Sequence, residues 1–230
     1  MNELQEPLSQ EWYDCFPVDR IGDVLAYVAA SWADLSTRFP LKHHAQESEP
    51  NLTKSLSDHL DDAVRRRLAG IGGRFHSERP INERNSVGRR KQLGRTDIEY
   101  HLPRDGSATL VLEFKKLKGA NRWRQAYREK GVLKFVQGPY ATTETVGVMC
   151  GFVSSDLALE TAAVRAGIER GRLKLACVAT EIGTHVSEPS QLAPGVASFD
   201  TEHVRPTMVA TGPIRLGHLF VVIAAEAPAI

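Results

Sequence analysis

The segment from Gly94 to Gly119, GRTDIEYHLPRDGSATLVLEFKKLKG, carries the pattern on which the fold prediction rests. Asp97 to Leu102 alternates polar and apolar residues, which is typical of a half-buried strand. Pro103 to Ser107 is dense in turn-forming residues, and Ala108 to Phe114 is a second strand-like run rich in leucine and β-branched residues. The segment therefore predicts a β-hairpin.

The predicted hairpin brings charged side chains together. Strand side chains alternate between two faces, so Glu113 and Lys115 share one face, opposite to the leucines of the same strand. The neighbouring strand brings Asp97 and Glu99 alongside. Burying a carboxylate or an ammonium group costs free energy unless the group is paired or bound to a metal. The cluster therefore indicates either a salt-bridge network or a metal site.

A magnesium site is the first interpretation of this cluster. Mg²⁺ prefers carboxylate oxygens, a backbone carbonyl and several waters. Asp97, Glu113 and the backbone carbonyl of Phe114 would supply the ligands from the protein, and Lys115 would place a positive charge beside a scissile phosphate or an attacking water. An ordinary hairpin with a salt bridge such as Asp97–Lys115 is the other interpretation, since a bare E-x-K occurs by chance in many chains.

The order of these residues resembles the PD-(D/E)xK nuclease superfamily, which has the restriction-endonuclease-like fold. Asp97 is followed by a spacer of 15 residues and then by Glu113-Phe114-Lys115, and Thr96 stands where the name of the superfamily has proline. The resemblance covers residues 49–153 and points to no particular family within the superfamily. It implies an α/β fold with a mixed central β-sheet flanked by helices, catalytic roles for Asp97, Glu113 and Lys115, and Mg²⁺ or Mn²⁺ as the cofactor.

The resemblance also implies a further acidic residue. Related nucleases often have a glutamate that faces the metal at the start of the helix before the site strands. Glu49 is the candidate here and Glu47 is the second choice. A carboxylate that simply favours a helix N-terminus is an equally good explanation of either residue.

The charge is distributed unevenly along the chain although the net charge is only +1. Residues 61–135 contain 19 Lys and Arg against 9 Asp and Glu, a balance of +10, and the rest of the chain has a balance of −9. Concentrated positive charge around the proposed site indicates a nucleic-acid partner, DNA in preference to RNA. The alternative is that these residues belong to solvated helix faces. The side chains expected to contact nucleic acid are Arg89, Arg90, Lys91, Lys116, Lys118, Arg122, Arg124, Gln137 and Tyr140.

Two of these residues enter through a second resemblance. Some RecB-like nucleases carry a Q-x-x-x-Y element that touches nucleic acid, and Gln137-x-x-Tyr140 is similar to it but one residue shorter. Tyr140 is alternatively an aromatic residue of the core.

The other elements follow from hydrophobic periodicity and from Gly and Pro positions. Residues 1–45 are expected to form an N-terminal helical extension, and residues 46–230 a nuclease-like α/β domain with its catalytic core at 49–153 and an elaboration at 154–230. The predicted helices are Arg20–Phe39, Asn51–Ala69, Asn121–Gln137 and Asp156–Arg170. The predicted strands outside the hairpin are Thr145–Val153, Leu173–Val178 and His218–Ala224, and residues 74–93 are predicted to be a mobile basic loop.

Composition excludes several other classes of protein. A hydrophobic content of 42% and a charged content of 25% are those of an ordinary soluble globular protein. The three cysteines are scattered, which argues against a disulfide framework or a zinc ribbon. The sequence contains no signal peptide, no membrane-spanning run, and no P-loop, G-x-G-x-x-G or G-x-S-x-G motif. We therefore expect a cytoplasmic protein that is neither a nucleotide-dependent motor nor a dinucleotide enzyme.

The predicted function is metal-dependent hydrolysis of nucleic-acid phosphodiester bonds. By analogy, such an enzyme would serve restriction or anti-phage defence, with a partner ATPase or helicase or as a homodimer. Two alternatives stay open. One is a catalytically silent nucleic-acid-binding or partner-binding module on the same fold, and the other is a structural protein whose charges form a salt-bridge network.

Overall fold

The structure is a computed structural model, and it describes residues 16–40, 45–77, 80–84, 90–102, 108–138, 140–207 and 212–223. The described helices are α1 (Ile21–Arg38), α2 (Glu49–Leu60), α3 (Ala63–Leu68), α4 (Asn121–Tyr127), α5 (Leu133–Val136) and α6 (Leu157–Arg170). A 3-10 turn (Val18–Arg20) precedes α1, and a π-helical segment (Arg128–Val132) joins α4 to α5. The described strands are β1 (Arg74–Ser77), β2 (Pro80–Arg84), β3 (Arg90–Arg95), β4 (Ile98–His101), β5 (Thr109–Leu117), β6 (Val146–Val153), β7 (Phe199–His203) and β8 (Ile214–Val222).

Six of these strands form one mixed sheet in the order β1-β4-β5-β6-β8-β7. The neighbours β5, β6 and β8 run parallel to one another, whereas β1 pairs with β4, β4 with β5, and β7 with β8 in antiparallel fashion. Strands β2 and β3 form a separate antiparallel ribbon that leads directly into the site segment. The parallel strands lie in the middle of the sheet, where both of their faces are covered.

Helices cover both faces of the sheet. Val28 of α1 and Leu56 of α2 belong to one buried apolar cluster, which also contains Phe114 of β5. Phe135 of α5 and Val164 of α6 belong to a second cluster on the other face. The prediction of an α/β fold with a mixed sheet flanked by helices is therefore confirmed.

The hairpin of β4 and β5 has the predicted side-chain alternation. Ile98 pairs with Leu112 and Tyr100 with Leu110 in the antiparallel register. These four residues lie in the apolar cluster under α1 and α2, whereas Val111 lies in the cluster on the opposite face. The face opposite to the leucines is therefore the one that carries Glu113 and Lys115. The predicted turn at residues 103–107 falls outside the described residues.

The prediction of one helix over Asn51–Ala69 is wrong, because the chain breaks into α2 and α3. The Asp62 side chain accepts hydrogen bonds from the backbone N–H groups of Val64 at 3.0 Å and Arg65 at 2.9 Å, so it caps a new helix. Val64 is 68% exposed and Leu68 is 84% exposed. The apolar spacing that suggested a single buried stripe therefore ends at Leu60.

The prediction of a loop over residues 74–93 is also wrong. The segment contains β1, β2 and most of β3. β1 is a four-residue edge strand, and Phe75 is its buried apolar residue, with its ring centroid 4.7 Å from that of Tyr100. Such a short polar strand has almost no hydrophobic periodicity. It can therefore be recognised only from its pairing with β4 in the structure.

The predicted strand at Leu173–Val178 is a series of turns instead. Within it, Cys177 forms an isolated bridge with His203. The parallel neighbour of β6 beyond the helix is β8, which begins at Ile214, four residues before the predicted start. The parallel partner of β6 therefore lies about forty residues further along the chain than the predicted strand that begins at Leu173.

Candidate active site

The hairpin places Asp97 beside Glu113. Asp97 lies in the bend before β4, and the pairing of Ile98 with Leu112 extends to this pair. The Asp97 Oδ2 atom accepts a hydrogen bond from the Phe114 backbone N–H at 2.7 Å, which fixes the carboxylate against β5. The Glu113 side chain is fully buried, whereas the Asp97 side chain is 26% exposed.

The Lys115 ammonium group lies between three carboxylates. Its Nζ atom is 2.9 Å from Glu113 Oε1, 2.9 Å from Glu49 Oε1 and 3.8 Å from Asp97 Oδ2. The sum of the distances to Glu113 and Asp97, about 6.7 Å, is the upper limit for the separation of those two oxygens. This upper limit is compatible with a pair of metal ions between the two carboxylates, since the ions of two-metal sites are about 4 Å apart.

Glu49 reaches this cluster from the first residue of α2. The helix begins there because Ser48 caps it, with its hydroxyl accepting the Asn51 N–H at 3.3 Å. The second Glu49 oxygen accepts the backbone N–H of Lys116 at 2.7 Å. The structure thus brings Glu49 to Lys115, whereas Glu47 bonds to its own helix start through Ser48 N–H and Asn51 Nδ2, both at 2.8 Å.

Lys134 is a member of the cluster that the sequence analysis did not place there. Its Nζ atom donates to Glu113 Oε1 at 2.8 Å and to the Tyr140 hydroxyl at 2.8 Å. The Tyr140 hydroxyl in turn donates to the Arg95 carbonyl, one residue before Thr96. The helical spacing of Lys130 and Lys134 is visible in the sequence, but their approach to β5 depends on the packing of α5 against the sheet.

A glycine makes that approach possible. A Cβ atom added at Gly131 would lie 2.4 Å from Met149 Cε and 3.5 Å from Lys115 Cγ. Gly131 lies in the π-helical segment, which has a wider turn than the α-helices on either side of it. The segment immediately before Lys134 therefore packs directly on the stem of Lys115.

One oxygen of Glu113 has no partner. Glu113 Oε2 is buried, and no hydrogen-bond donor reaches it among the described residues. The surrounding cluster contains three carboxylates, those of Glu49, Asp97 and Glu113, and the two ammonium groups of Lys115 and Lys134. A buried carboxylate oxygen without a donor is costly, and a cation at this oxygen would remove the cost.

The pKa values of Asp97 and Lys115 are both shifted from their ordinary values by burial and by the neighbouring charges. Burial and the nearby charge of Glu113 raise the pKa of Asp97 to about 7. Burial alone would lower the pKa of Lys115, but Glu113, Asp97 and Glu49 together raise it above its ordinary value. Lys115 is therefore an ammonium ion at neutral pH and acts as a positive charge, whereas Asp97 exchanges its proton near neutrality.

A cleft opens beside the cluster. It has a volume of about 540 Å³ and is lined by Glu49, Lys115, Lys116, Trp123, Ala126, Glu129, Lys130 and Lys134. A larger cavity of about 840 Å³ lies between α6 and the segment 178–191, and no predicted site residue lines it. Its charged groups are paired internally, for example Glu169 with His185 at 3.1 Å. The smaller cleft is therefore the one that adjoins the candidate active site.

The donor set suits a hard cation with few protein ligands. Among the residues that the structure describes, no group of three or more His, Cys, Asp and Glu side chains is arranged to hold a metal ion. Lys115 Nζ lies where the carboxylates would otherwise converge, and it also donates to the Phe114 carbonyl. The protein would thus supply as ligands the Asp97 carboxylate, Glu113 Oε2 and the Phe114 carbonyl, and water molecules would complete the coordination shell. This is how Mg²⁺ is usually bound.

The residues expected to contact nucleic acid fall into three groups. Lys116 and Tyr140 are 3% and 0% exposed, and Lys116 Nζ donates to the carbonyls of Ala45 and Glu47. Both side chains are therefore inside the fold, which corrects the expectation that they face a ligand. Burial, with the charge of Lys118 adding to it, lowers the pKa of Lys116 to about 8.

The second group lies around α4 and α5. The Arg124 guanidinium is held by Glu160, with Nε to Oε1 at 2.8 Å. Lys118 and Arg122 flank the ring of Trp123, and Gln137 is exposed at the end of α5. These side chains lie at or near the surface beside the cleft.

The third group is the basic ribbon. Arg90 and Lys91 lie on β3, paired in register with Arg84 and Glu83 of β2. Arg89 lies outside the described residues.

Comparison with protein-family models, with curated proteins and with solved structures found no match to this chain. In the described parts of the chain, none of the helices combines the length and the apolar character that crossing a bilayer requires.

Proposed function

We propose that this protein is a divalent-metal-dependent nuclease whose β4–β5 hairpin is the catalytic centre of a restriction-endonuclease-like core. The observation that supports this most is the geometry around Lys115. Two carboxylates from adjacent strands meet one lysine at the edge of a cleft, and one of them keeps a buried oxygen without a donor. The proposed substrate is nucleic acid, because positive charge is concentrated in the same third of the chain, and DNA is placed before RNA as the substrate to test.

Asp97 and Glu113 would hold Mg²⁺ or Mn²⁺ together with the Phe114 carbonyl. When bound, the ion would polarise the scissile phosphate and lower the pKa of a bound water. The second oxygen of Glu113 accepts no hydrogen bond from the described residues, so binding an ion there would break no existing bond. Asp97 keeps its position through the Phe114 N–H, and its raised pKa means that a cation would displace a proton near neutral pH.

The two lysines would act on the substrate as fixed positive charges. Lys115 is protonated at neutral pH and 11% exposed, so it would stabilise negative charge that develops on the phosphate and would orient the attacking water. Lys134 is 36% exposed at the wall of the cleft and would hold a phosphate oxygen. Glu49 keeps Lys115 in place through the 2.9 Å contact and does not need to contact the metal.

A catalytically silent nucleic-acid-binding module is the second candidate function. The observation that favours it is that each carboxylate already has a lysine partner, since Lys115 lies within 4 Å of all three and Lys134 also bonds to Glu113. A permanent salt-bridge network of this kind would bind nucleic acid through the surrounding lysines and arginines without cleaving it.

The two functions are separated by a cleavage panel. Supercoiled plasmid, linear duplex, single-stranded DNA and RNA are incubated with Mg²⁺, Mn²⁺ or EDTA, with wild type beside Asp97→Asn, Lys115→Ala and the surface control Lys54→Ala. The proposed nuclease cleaves at least one substrate with metal, and the two site variants lose this activity while Lys54→Ala keeps it. Cleavage that survives both site variants would reject the site. Binding without any cleavage would favour the silent module.

A further inference from the structure

Trp123 is the aromatic side chain in the wall of the cleft. It shares that wall with Lys115 and Lys134 of the proposed catalytic centre. Its side chain is half-buried, whereas the nearby rings of Tyr127 and Phe135 in the same helical layer are 0% exposed. A tryptophan needed only for the core would lie inward as these rings do. The indole instead presents part of its surface to the cleft.

Two cations flank this indole. Lys118 Nζ and Arg122 Cζ each lie 5.3 Å from the centroid of the Trp123 ring. Cations at this distance are attracted to the ring face, and they are also suitable partners for phosphate groups. The arrangement therefore combines a flat apolar ring with two positive charges that lie over it.

The cleft runs from this aromatic end to the catalytic centre. Trp123, Lys130 and Lys134 all line it from the same helical layer. Trp123 belongs to α4, Lys130 to the π-helical segment and Lys134 to α5, so the three residues succeed one another along this helical layer. A chain that followed the cleft would meet an aromatic surface first, then a lysine, and then the lysine that bonds to Glu113.

Resting on the proposed nuclease function, we propose that Trp123 is a nucleobase-stacking subsite and that the substrate of this site is a single strand or an unpaired end. Bases inside a duplex are stacked on one another and do not offer a face to a protein ring, whereas unpaired bases do. Lys118 and Arg122 would move from the ring to the phosphates on either side of the stacked base. Lys130 would hold the backbone between this base and the scissile phosphate.

Binding in the absence of metal tests the subsite separately from cleavage. Fluorescence anisotropy in EDTA at low salt compares a labelled oligothymidine with an abasic strand of the same length, which has the same phosphates and no bases. Wild type is measured beside Trp123→Ala, the aromatic replacement Trp123→Phe and the surface control Lys54→Ala. Circular dichroism checks the fold of each variant.

Wild type should bind the oligothymidine roughly ten-fold more tightly than the abasic strand, since stacking on an aromatic side chain typically has this effect. Trp123→Ala should bind both strands equally, at the affinity of wild type for the abasic strand, and Trp123→Phe should keep most of the preference. A preference that persists in Trp123→Ala, or is absent in wild type, would overturn the proposal. Equal affinity of wild type for a blunt duplex and for the oligothymidine would also overturn it.

A second measurement needs no variant. Irradiation of wild type with an iodouracil-substituted strand should cross-link Trp123, which mass spectrometry locates in the peptide, and cross-links confined to other regions would contradict the subsite.

The failure of the two proposals can be distinguished. Base-dependent binding through Trp123 without cleavage would remove the nuclease and keep the subsite, whereas metal-dependent cleavage without base preference would keep the nuclease and remove the subsite.

Discussion

Asp97 occupies the least favourable position in the cluster when no cation is present. Burial and Glu113 raise its pKa to about 7, far above the ordinary value of about 3.9. The folded protein therefore holds a proton on Asp97 between about pH 4 and pH 7 that the unfolded chain releases. Since the folded state binds more protons there, the free energy of unfolding falls as the pH rises through this range.

Asp97→Asn should therefore stabilise the metal-free protein at pH 8. The amide keeps an acceptor for the Phe114 N–H and removes a charge that the site disfavours. Because the side chain is 26% exposed, we expect a gain of about 1–3 kcal/mol rather than the full value of the shift. Urea denaturation in EDTA measures it. The gain should become smaller as the pH is lowered through 7 and disappear only below about pH 4. A variant that is less stable than wild type at pH 8 would contradict this account of the site.

Lys134 should affect cleavage rather than folding. Removing its ammonium group leaves Glu113 Oε1 paired with Lys115 and takes one positive charge from the cleft. We expect Lys134→Ala to lower kcat by about 100- to 1,000-fold, the size of effect seen when one charge-stabilising group is lost. Lys134→Arg should recover part of the rate. Steady-state kinetics on the preferred substrate gives the comparison, with Lys54→Ala as the control, and an unchanged kcat would exclude Lys134 from the reaction.

Among the elements of the sheet, Gly151 of β6 leaves room for side chains of the neighbouring strands β5 and β8. A Cβ atom at Gly151 would lie 2.5 Å from Phe220 Cδ1 and 2.8 Å from Leu117 Cδ1, and Leu117 belongs to the strand that carries the site. Both neighbours are packed in the second apolar cluster, so neither can move without disturbing it.

Gly151→Ala should therefore destabilise the protein by about 1–3 kcal/mol, which is usual for overpacking a core. Gly72→Ala is the matched control, because an added Cβ there meets nothing within 4 Å. Thermal or urea denaturation of both variants measures the effect. Equal stability of the two variants would mean that Leu117 and Phe220 are less tightly packed on β6 than the structure indicates.

A buried polar chain connects α4 to strands β7 and β8. His203 Nδ1 donates to the Leu175 carbonyl at 2.8 Å, so its Nε2 accepts the Thr201 hydroxyl at 2.7 Å. The Thr201 oxygen then accepts from His218 Nε2 at 2.9 Å, and His218 Nδ1 accepts the Tyr127 hydroxyl at 2.8 Å. The Tyr127 hydroxyl can alternatively donate to the Met149 carbonyl at 3.2 Å. The single proton of the Thr201 hydroxyl needs an acceptor, so at least one of the two histidines is neutral.

Acid should therefore destabilise the fold through these histidines. Burial lowers the pKa of His203 to about 4 and that of His218 well below its ordinary value. Between about pH 6.5 and pH 4 the unfolded chain binds more protons, so stability is complete above pH 6.5 and falls as the pH drops, by on the order of 3 kcal/mol for His203 alone.

Urea denaturation at pH 7.5 and pH 4.5 measures this loss. The Asp97→Asn background is preferable because Asp97 titrates with the opposite sign. The His203→Gln variant should show a smaller loss between the two pH values than its parent. The same loss in both proteins would show that other groups cause the acid sensitivity.

Across the whole molecule, strands with a local periodic pattern were predicted from the sequence, whereas pairings between distant segments were not. The alternation over Asp97–Leu102 and the leucine run at Leu110–Phe114 predicted the hairpin, because strand faces follow directly from a period of two. The edge strand β1 has one buried apolar residue and no such period, so it was missed. The partner of β6 was misplaced because the pairing with β8 spans a long connection without periodic sequence.

Prediction of the site from the sequence has the same limit, because contacts within one hairpin can be inferred and contacts between distant segments cannot. Asp97, Glu113 and Lys115 lie on one hairpin, so their proximity could be inferred from spacing alone. Glu49 was placed through a resemblance, and the structure brings it to Lys115. Lys134 reaches Glu113 only because α5 packs across the parallel strands, with Gly131 permitting the close approach. A tertiary contact of this kind leaves no pattern in a single sequence.

The central claim is that the cluster around Glu113 holds a divalent cation, and titration with Mn²⁺ tests it most directly. Isothermal titration calorimetry at pH 8, with electron paramagnetic resonance of free Mn²⁺ as a second readout, would compare wild type with Asp97→Asn and Glu113→Gln. The account predicts one or two bound ions per chain in wild type, loss of binding in both variants, and proton release that grows as the pH is lowered towards 7. No binding at millimolar Mn²⁺, or equal binding by all three proteins, would contradict it.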